Sequence, residues 1–526
     1  MLFPEIPNFH SPFRRAVVIV PPFRDFYFTA HRFSSLGATI VASLLRHEGL
    51  QVAVVNFPLM KPKGKRIEIP YALQYLDPCI LPEETGKLSF FTHFRRFGPD
   101  IDQCVAIIDS AKPDICFLSV FAFCYADDAL DLAEKIRKKM PSVPIVAGGA
   151  GVSVYPGYFL RKGSVDFALC GEAEAGIAHF MREISGREPD YRRVPNLAWK
   201  KHGTEAVSPI RTYAAESEIE VPLVKTAESA RSVTFSTSCT RGCPRRCAFC
   251  SSGLLFGSKI RIPDLARLEY SLSMLSKSVL PDGRRPVFNF EDDNLLYDER
   301  FLKALMSAVK KYFPGAGFIA ENGIDYSILS PDLCEWLVQN GMNKFNLSLA
   351  SVAPEILRKQ NRPLQLEHYE NILGYLAGSN IATTTYFICG FKEDTLESTA
   401  FNLAYLYYKQ TVIGISMFYA VPGLKNFIDP ACFDRSSSLL CLGSAAYPWN
   451  DSLPTETMIT AFRLSRYINL FKSAGRSEKE DLLLSTIGKK RLLYTYIKKE
   501  NRGEEELIEV PVQDKELVRR FFSKIS

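Results

Sequence analysis

The chain has no apolar run long enough to cross a bilayer. Stretches such as Ala16 to Pro22 fall far short of the ~20 residues a spanning helix needs. It also lacks a basic opening segment leading into an apolar one, since Phe13-Arg14-Arg15 runs straight into a strand-like stretch, so no secretion signal is read. An excess of one charge is missing too. The 64 basic and 58 acidic residues leave a net charge of +6 over 526 residues, too mild to argue for a nucleic-acid partner. No repeat of solenoid period is present. What remains is an ordinary globular composition, 47% hydrophobic and 23% charged, on a chain too long for one core. Its 13 cysteines, without a secretion signal, are expected to be reduced thiols in a cytoplasmic protein.

Short apolar runs separated by helical patterns organise the first half. Ala16 to Val20, Val52 to Val55, Ile115 to Val120, Val143 to Ala147 and Phe167 to Cys170 lack polar alternation, as strands buried on both faces do. They predict a doubly wound parallel sheet over residues 1–185, with a ligand at the strands' carboxyl ends. Residues 59–100, rich in proline, lysine and aromatics, read as an insertion, and the polar stretch 186–230 reads as a linker. The alternation restarts at Val233, and six strand–helix units over residues 231–430 predict an incomplete (β/α)6 barrel. Residues 431–526 read as mostly helical.

Cysteine is concentrated once, in CTRGCPRRCAFC after the first barrel strand. Cys243, Cys247 and Cys250 have the spacing C-x3-C-x2-C. A zinc ribbon wants two paired knuckles separated by a longer loop, which are absent, and a disulfide framework does not suit a reducing compartment. Three thiolates on a tight loop suit three irons of a [4Fe–4S] cube with the fourth iron open. A zinc knuckle that also uses Cys239 is the alternative, and Cys239 otherwise reads as a core thiol.

This turn, with an aromatic at Phe249, resembles that of the radical S-adenosylmethionine superfamily. The resemblance implies Cys243, Cys247 and Cys250 as iron ligands, Phe249 near the adenine, and S-adenosylmethionine as the cosubstrate cleaved to a 5′-deoxyadenosyl radical. Glu291, Asp292 and Asp293, at the end of the second barrel strand, resemble the acidic group that receives the ammonium. Ser348, Ser351 and Arg358 resemble the motif holding ribose and carboxylate, with a plain surface charge as the alternative for Arg358. Ile388 and Gly390 resemble the segment beside the adenine, and Tyr419 to Gly423 the turn after strand six.

The N-terminal half is similar to the flavodoxin-like cobalamin-binding domain that precedes the barrel in cobalamin-dependent members. Ser119, Gly148, Gly149, Ala150 and Glu172 carry that likeness and are the expected cobalamin contacts; the glycine pair would let a bulky tail approach the backbone. The D-x-H-x-x-G motif is missing, because Asp25, His31 and Gly37 have the wrong spacing, which leaves cobalt's lower ligand open and His31 an ordinary loop residue.

The resemblance implies a cobalamin-dependent radical enzyme that methylates an unactivated carbon of a small biosynthetic molecule through methylcobalamin. It also implies an electron donor such as flavodoxin or ferredoxin. Alternatives are a radical cyclisation or rearrangement, with or without cobalamin, and a sensor without turnover. No triad for a second N-terminal cluster appears among Cys79, Cys104, Cys116, Cys124 and Cys170. Lys61, Lys63, Lys65 and Arg66 read as a solvated basic loop, and the run Ile487 to Lys499 as packing on the barrel.

Overall fold

Val17 and Ile19 face one side of the first strand and Ala16 and Val18 the other, and all four are buried. Such a strand must lie inside a sheet covered on both faces. It is β1 (Arg15–Val20) of a doubly wound sheet, with β2 (Gln51–Asn56), β3 (Ile115–Ser119), β4 (Ile145–Gly148) and β5 (Phe167–Leu169). The order β2-β1-β3-β4-β5 is parallel throughout and reverses beside β1, which leaves a crevice past the ends of β1 and β3. The computed structural model describes residues 13–80, 93–424, 432–433, 436–473, 494–498, 505–509 and 514–525, less positions 28, 32, 202–203, 279–282, 363 and 450–452.

The stretch 186–230 is more ordered than a linker. Strands β6 (Leu197–Lys201) and β7 (Thr204–Val207) extend the sheet antiparallel to β5. Leu197, Ala198 and Trp199 are buried there, a run too short to stand out among polar neighbours. The same stretch ends in β8 (Val224–Glu228), antiparallel to the first barrel strand.

The barrel strands are β9 (Ser232–Thr237), β10 (Arg285–Phe290), β11 (Gly317–Ile319), β12 (Lys344–Ala350), β13 (Ala382–Cys389) and β14 (Val412–Met417). They run parallel in two groups of three. The bridges Phe318–Met342 and Ile324–Leu347 join the groups into one arc. An open arc leaves the edge strand β14 with unpaired backbone. Asn469, on the helix Thr455–Ser473, covers it: Oδ1 accepts from Ile413 N at 2.7 Å and Nδ2 donates to Ile413 O at 2.8 Å.

The insertion is described except for residues 81–92. Lys65–Arg66 and Arg95–Phe97 form a small antiparallel sheet with Phe23–Asp25, and Lys61, Lys63, Lys65 and Arg66 are exposed. Tyr71–Cys79 packs on the C-terminal region, where Tyr75 OH donates to Ala445 O at 2.7 Å. Among its described residues that region holds the helices Thr455–Ser473 and Lys515–Ile525 and an antiparallel strand pair, Tyr494–Lys498 and Glu505–Glu509. Most of the basic run Ile487 to Lys499 lies outside the described residues. Among the described residues no helix is long and apolar enough to cross a membrane.

Candidate functional site

The cysteine turn leaves β9 at Thr237 and is held by backbone pairs at both ends. Arg241 N donates to Arg261 O (3.1 Å) and Arg261 N to Arg241 O (2.9 Å), while Cys243 N donates to Gly257 O (3.1 Å) and Ala248 N to Gln360 O (3.0 Å). Cys243 is half-buried, Cys247 buried and Cys250 exposed. Desolvation by the surrounding protein pushes the thiols of Cys243 and, although that residue is exposed, Cys250 above their ordinary pKa. Cys250 and Asp293 add to the shift at Cys243, and Asp293 and Cys247 to that at Cys250. Among the described residues no three Cys, His, Asp or Glu side chains converge tightly enough for one metal ion. A cube spreads its irons over corners and does not require that convergence. Cys239 points elsewhere: it is fully buried in the core, 3.5 Å from Thr237 Oγ1.

The acidic residues after β10 separate. Asp292 turns inward, and its Oδ1 accepts from Cys239 N (2.8 Å), Thr240 N (2.5 Å) and Thr240 Oγ1 (2.7 Å). Burial lifts its pKa to about 6, with the donors opposing. Asp293 lies against the turn and accepts from Ser252 Oγ at 2.6 Å. Glu291 faces the N-terminal half, where Ser34 Oγ donates to its Oε2 at 2.5 Å. Asn294 was not singled out from the sequence; its Nδ2 is 3.8 Å from Cys243 Sγ.

The ribose and carboxylate candidates do not stay together. Ser348 ends β12 and its carbonyl accepts from Arg362 Nη2 at 2.5 Å. Ser351 is fully buried, and its Oγ bonds to Asn402 Oδ1 (3.3 Å) and accepts from Ala353 N (3.1 Å), a turn-forming role. Arg358 is exposed on the helix Pro354–Lys359. The arginine at the turn is Arg362 instead, with Nη1 3.7 Å from Cys247 Sγ. Phe249 and Ile388 meet in one apolar cluster with Ile356, Phe391 and Phe418. Gly390 has φ +106°, a left-handed backbone that favours glycine, and a Cβ there would stand 2.7 Å from Met458 Sδ.

A pocket opens at the switch point past β1 and β3, walled by Val20, Pro22, Phe33, Ser34, Ser119 and Phe121 among others. Ser119 is the one predicted N-terminal contact that lines it. Gly149 has φ +99°, and a Cβ would stand 2.6 Å from Val120 O; the protein's own backbone fills the space reserved for a ligand tail. A Cβ on Gly148 would stand 3.3 Å from Leu169 O, and Ala150 starts the short helix Ala150–Ser153. Glu172 is occupied by the barrel. Arg261 Nη1 and Nη2 donate to its two oxygens at 2.7 and 2.6 Å, and both side chains are buried. His31 is exposed, with Nδ1 3.2 Å from Thr226 O.

The family model described as the Radical SAM superfamily matches residues 237–403, and that of the B12 binding domain matches residues 90–181. Residues 237–403 are thus a radical SAM domain and residues 90–181 a B12-binding domain. The cofactors are accordingly a [4Fe–4S] cluster, S-adenosylmethionine and cobalamin. The 2-(S-pantetheinyl)-carbapenam-3-carboxylate methyltransferase of Streptantibioticus cattleyicolor is 29% identical over 205 residues, 35% of this chain and 30% of that protein. Cytidylyl-2-hydroxyethylphosphonate methyltransferase of Streptomyces wedmorensis is 20% identical over 391 residues, 64% of this chain and 72% of that protein. The chain thus spans about a third of the first relative's length. The structure of the methyltransferase TsrM from Kitasatospora setae, solved with cobalamin and a [4Fe–4S] cluster, matches with a TM-score of 0.57 at 12% identity, over 82% of this chain and 85% of that one. At that identity the likeness is one of fold.

Two outcomes test this geometry. Glu172→Ala leaves Arg261 buried without its partner and is expected to cost ~3–5 kcal/mol in anaerobic denaturation, with part recovered by adding Arg261→Met. An unchanged midpoint would show that the pair does not hold the two halves. Asp292 has a folded pKa of about 6 against an ordinary 3.8, so the folded state binds the proton more tightly. Its contribution is present at low pH and is lost as pH rises through that window. Asp292→Asn should flatten the fall in urea midpoint between about pH 4 and about pH 6; an identical slope in both proteins would refute the burial.

Proposed function

We propose that this chain is a cobalamin-dependent radical S-adenosylmethionine methyltransferase acting on an unactivated carbon of a small biosynthetic molecule. One observation carries the reading. The crevice past β1 and β3 and the mouth of the barrel meet at Ser34 and Glu291, so a ligand of either half lies against the other.

The residues fit the groups. Cys243, Cys247 and Cys250 are the ligands proposed for three irons; the burial of Cys239 in the core supports reading it as a core thiol. Beside the turn, Asp292 Oδ2 and Asn294 Oδ1 are buried acceptors without a donor among the described residues, a cost that an incoming ammonium would relieve. Asp293, whose charge bears on Cys250, supplies a further negative charge for the same group. Phe249 and Ile388 offer an apolar face for the adenine. The switch-point pocket, apolar with the hydroxyls of Ser34 and Ser119 in its wall, suits the tail of cobalamin.

When bound, the cluster and S-adenosylmethionine supply a 5′-deoxyadenosyl radical, and cobalamin supplies a transferable methyl group. The chain's own residues bind and orient. Arg261 and Arg241 fix the turn against the N-terminal half, and Glu291 with Ser34 closes the junction between the halves. Methyl transfer is supported by the names of the relatives, and a radical cyclisation or rearrangement is the second reading. A low-potential donor such as flavodoxin or ferredoxin, in the cytoplasm, would provide the electron.

After anaerobic reconstitution about four irons per chain are expected. Replacing Cys243, Cys247 or Cys250 by alanine should abolish the cluster and all 5′-deoxyadenosine formation, whereas Cys239→Ala should keep both. Zinc in place of iron would refute the ligand set. In turnover with S-adenosylmethionine labelled in its methyl group, 5′-deoxyadenosine and S-adenosylhomocysteine should form in comparable amounts, with label in the product. Product without S-adenosylhomocysteine would favour cyclisation or rearrangement.

A further inference from the structure

We propose that Arg362 sets the reduction potential of the cluster held by the cysteine turn, as a fixed cation donating to the sulfur of Cys247. The inference rests on the reading of Cys243, Cys247 and Cys250 as iron ligands.

The three sulfurs stand in unequal surroundings. Cys243 Sγ faces a neutral amide, Asn294 Nδ2, at 3.8 Å. Cys250 Sγ lies 3.3 Å from Ser252 Oγ, but that hydroxyl's proton goes to Asp293 Oδ1 at 2.6 Å, which puts a carboxylate behind it. Cys247 Sγ alone, among the described residues, faces a charged donor, Arg362 Nη1 at 3.7 Å. The guanidinium is not free to swing away. Its Nη2 donates to Ser348 O at the end of β12 (2.5 Å), and Asp325 Oδ1 stands 3.9 Å off. Asp325 is itself tied to the turn, where Arg245 Nε donates to its Oδ2 at 2.6 Å. The Arg362 side chain is 13% exposed, so water and salt screen its charge weakly.

Reduction adds one negative charge to the cluster. One electron from a low-potential donor, dithionite in the assay, takes it from the 2+ to the 1+ state with no bond made and no proton moved. A cation and an N–H beside a ligating sulfur favour the more negative state. Arg362 therefore raises the potential, and Asp325, which neutralises part of its charge, lowers it. The two residues act with opposite signs through one sulfur.

The test is a redox titration followed by electron paramagnetic resonance on the full chain, reconstituted anaerobically, without S-adenosylmethionine. Iron content and the signal of the reduced cluster come first; a wild-type chain that assembles no cluster overturns the ligand reading and this inference with it. In chains that assemble one, Arg362→Gln should lower the equilibrium constant for reduction at least tenfold, a midpoint about 59 mV more negative. Asp325→Asn should shift the midpoint upward, and Arg362→Lys, which keeps the charge, should stay nearer wild type than Arg362→Gln. A midpoint for Arg362→Gln within about twofold of wild type in that constant overturns the proposal, as do shifts of the same sign in Arg362→Gln and Asp325→Asn. If Arg362→Gln holds no iron, Asp325→Asn decides, and an unchanged or lower midpoint there overturns the proposal.

Discussion

Arg241 and Arg261 exchange backbone hydrogen bonds within the cysteine turn, so a single bridge carries both guanidinium groups. Each ends on a glutamate just past β5. Arg261 grips Glu172 through both nitrogens, and Arg241 lies 3.8 Å from Glu174 with both side chains buried. Desolvating four charges is expensive, and such pairs seldom add net stability. Here the cost is offset by surrounding acceptors: Arg261 also donates to Ala214 O, and Arg241 to Ser238 O and Thr240 O. What the pairing contributes is register. A carboxylate in a buried fork has one low-energy geometry, so the turn that carries the three thiols cannot drift relative to the N-terminal sheet.

The same economy of direction governs the acidic segment. While β10 lasts, alternate residues face opposite sides; once it ends at Phe290 that period is lost. Glu291, Asp292 and Asp293 then point to the other domain, into the turn's backbone and toward Cys250 respectively. Adjacent carboxylates would repel if held together. Separated, each is matched to different donors, and the one with the most donors, Asp292, is the one buried deepest.

Both folds were legible from sequence because unalternating apolar runs are rare outside covered sheets, and five in a row admit few topologies. Only four are buried on both faces, however: Val52 to Val55 lies on the edge strand β2, where Ala53 and Val54 are exposed. The cysteine spacing marked the candidate metal turn for a similar reason: three thiols so close have few other uses. What the sequence hid was direction. Arg358 and Arg362 are one helical turn apart, but the helix stops at Lys359, so only the later residue curls back to Cys247. Leu197 to Trp199 was too short a run to announce a strand. Glu172 matched a cofactor motif by position, while its actual partner, Arg261, lies 89 residues on and carries no local signal.

Glycine shows the difference between a pattern and its cause. The pair Gly148-Gly149 reads as a place where a ligand nears the backbone, and Tyr419 to Gly423 as the turn after strand six. Gly149 instead makes room for Val120 of its own domain. Gly423, at φ +84°, is wedged between halves: a Cβ would stand 3.0 Å from Val154 O of the N-terminal domain and 3.2 Å from Leu254 Cδ2, just past the cysteines. The absent side chain lets the last barrel loop, the cysteine turn and the N-terminal domain meet at one point. A chain with the proposed task of holding two cofactors against one carbon needs its two sets of strand ends close together. Close backbone approaches therefore occur between the domains as well as within them, and the proposed ligands take the apolar and polar walls that this closeness leaves standing.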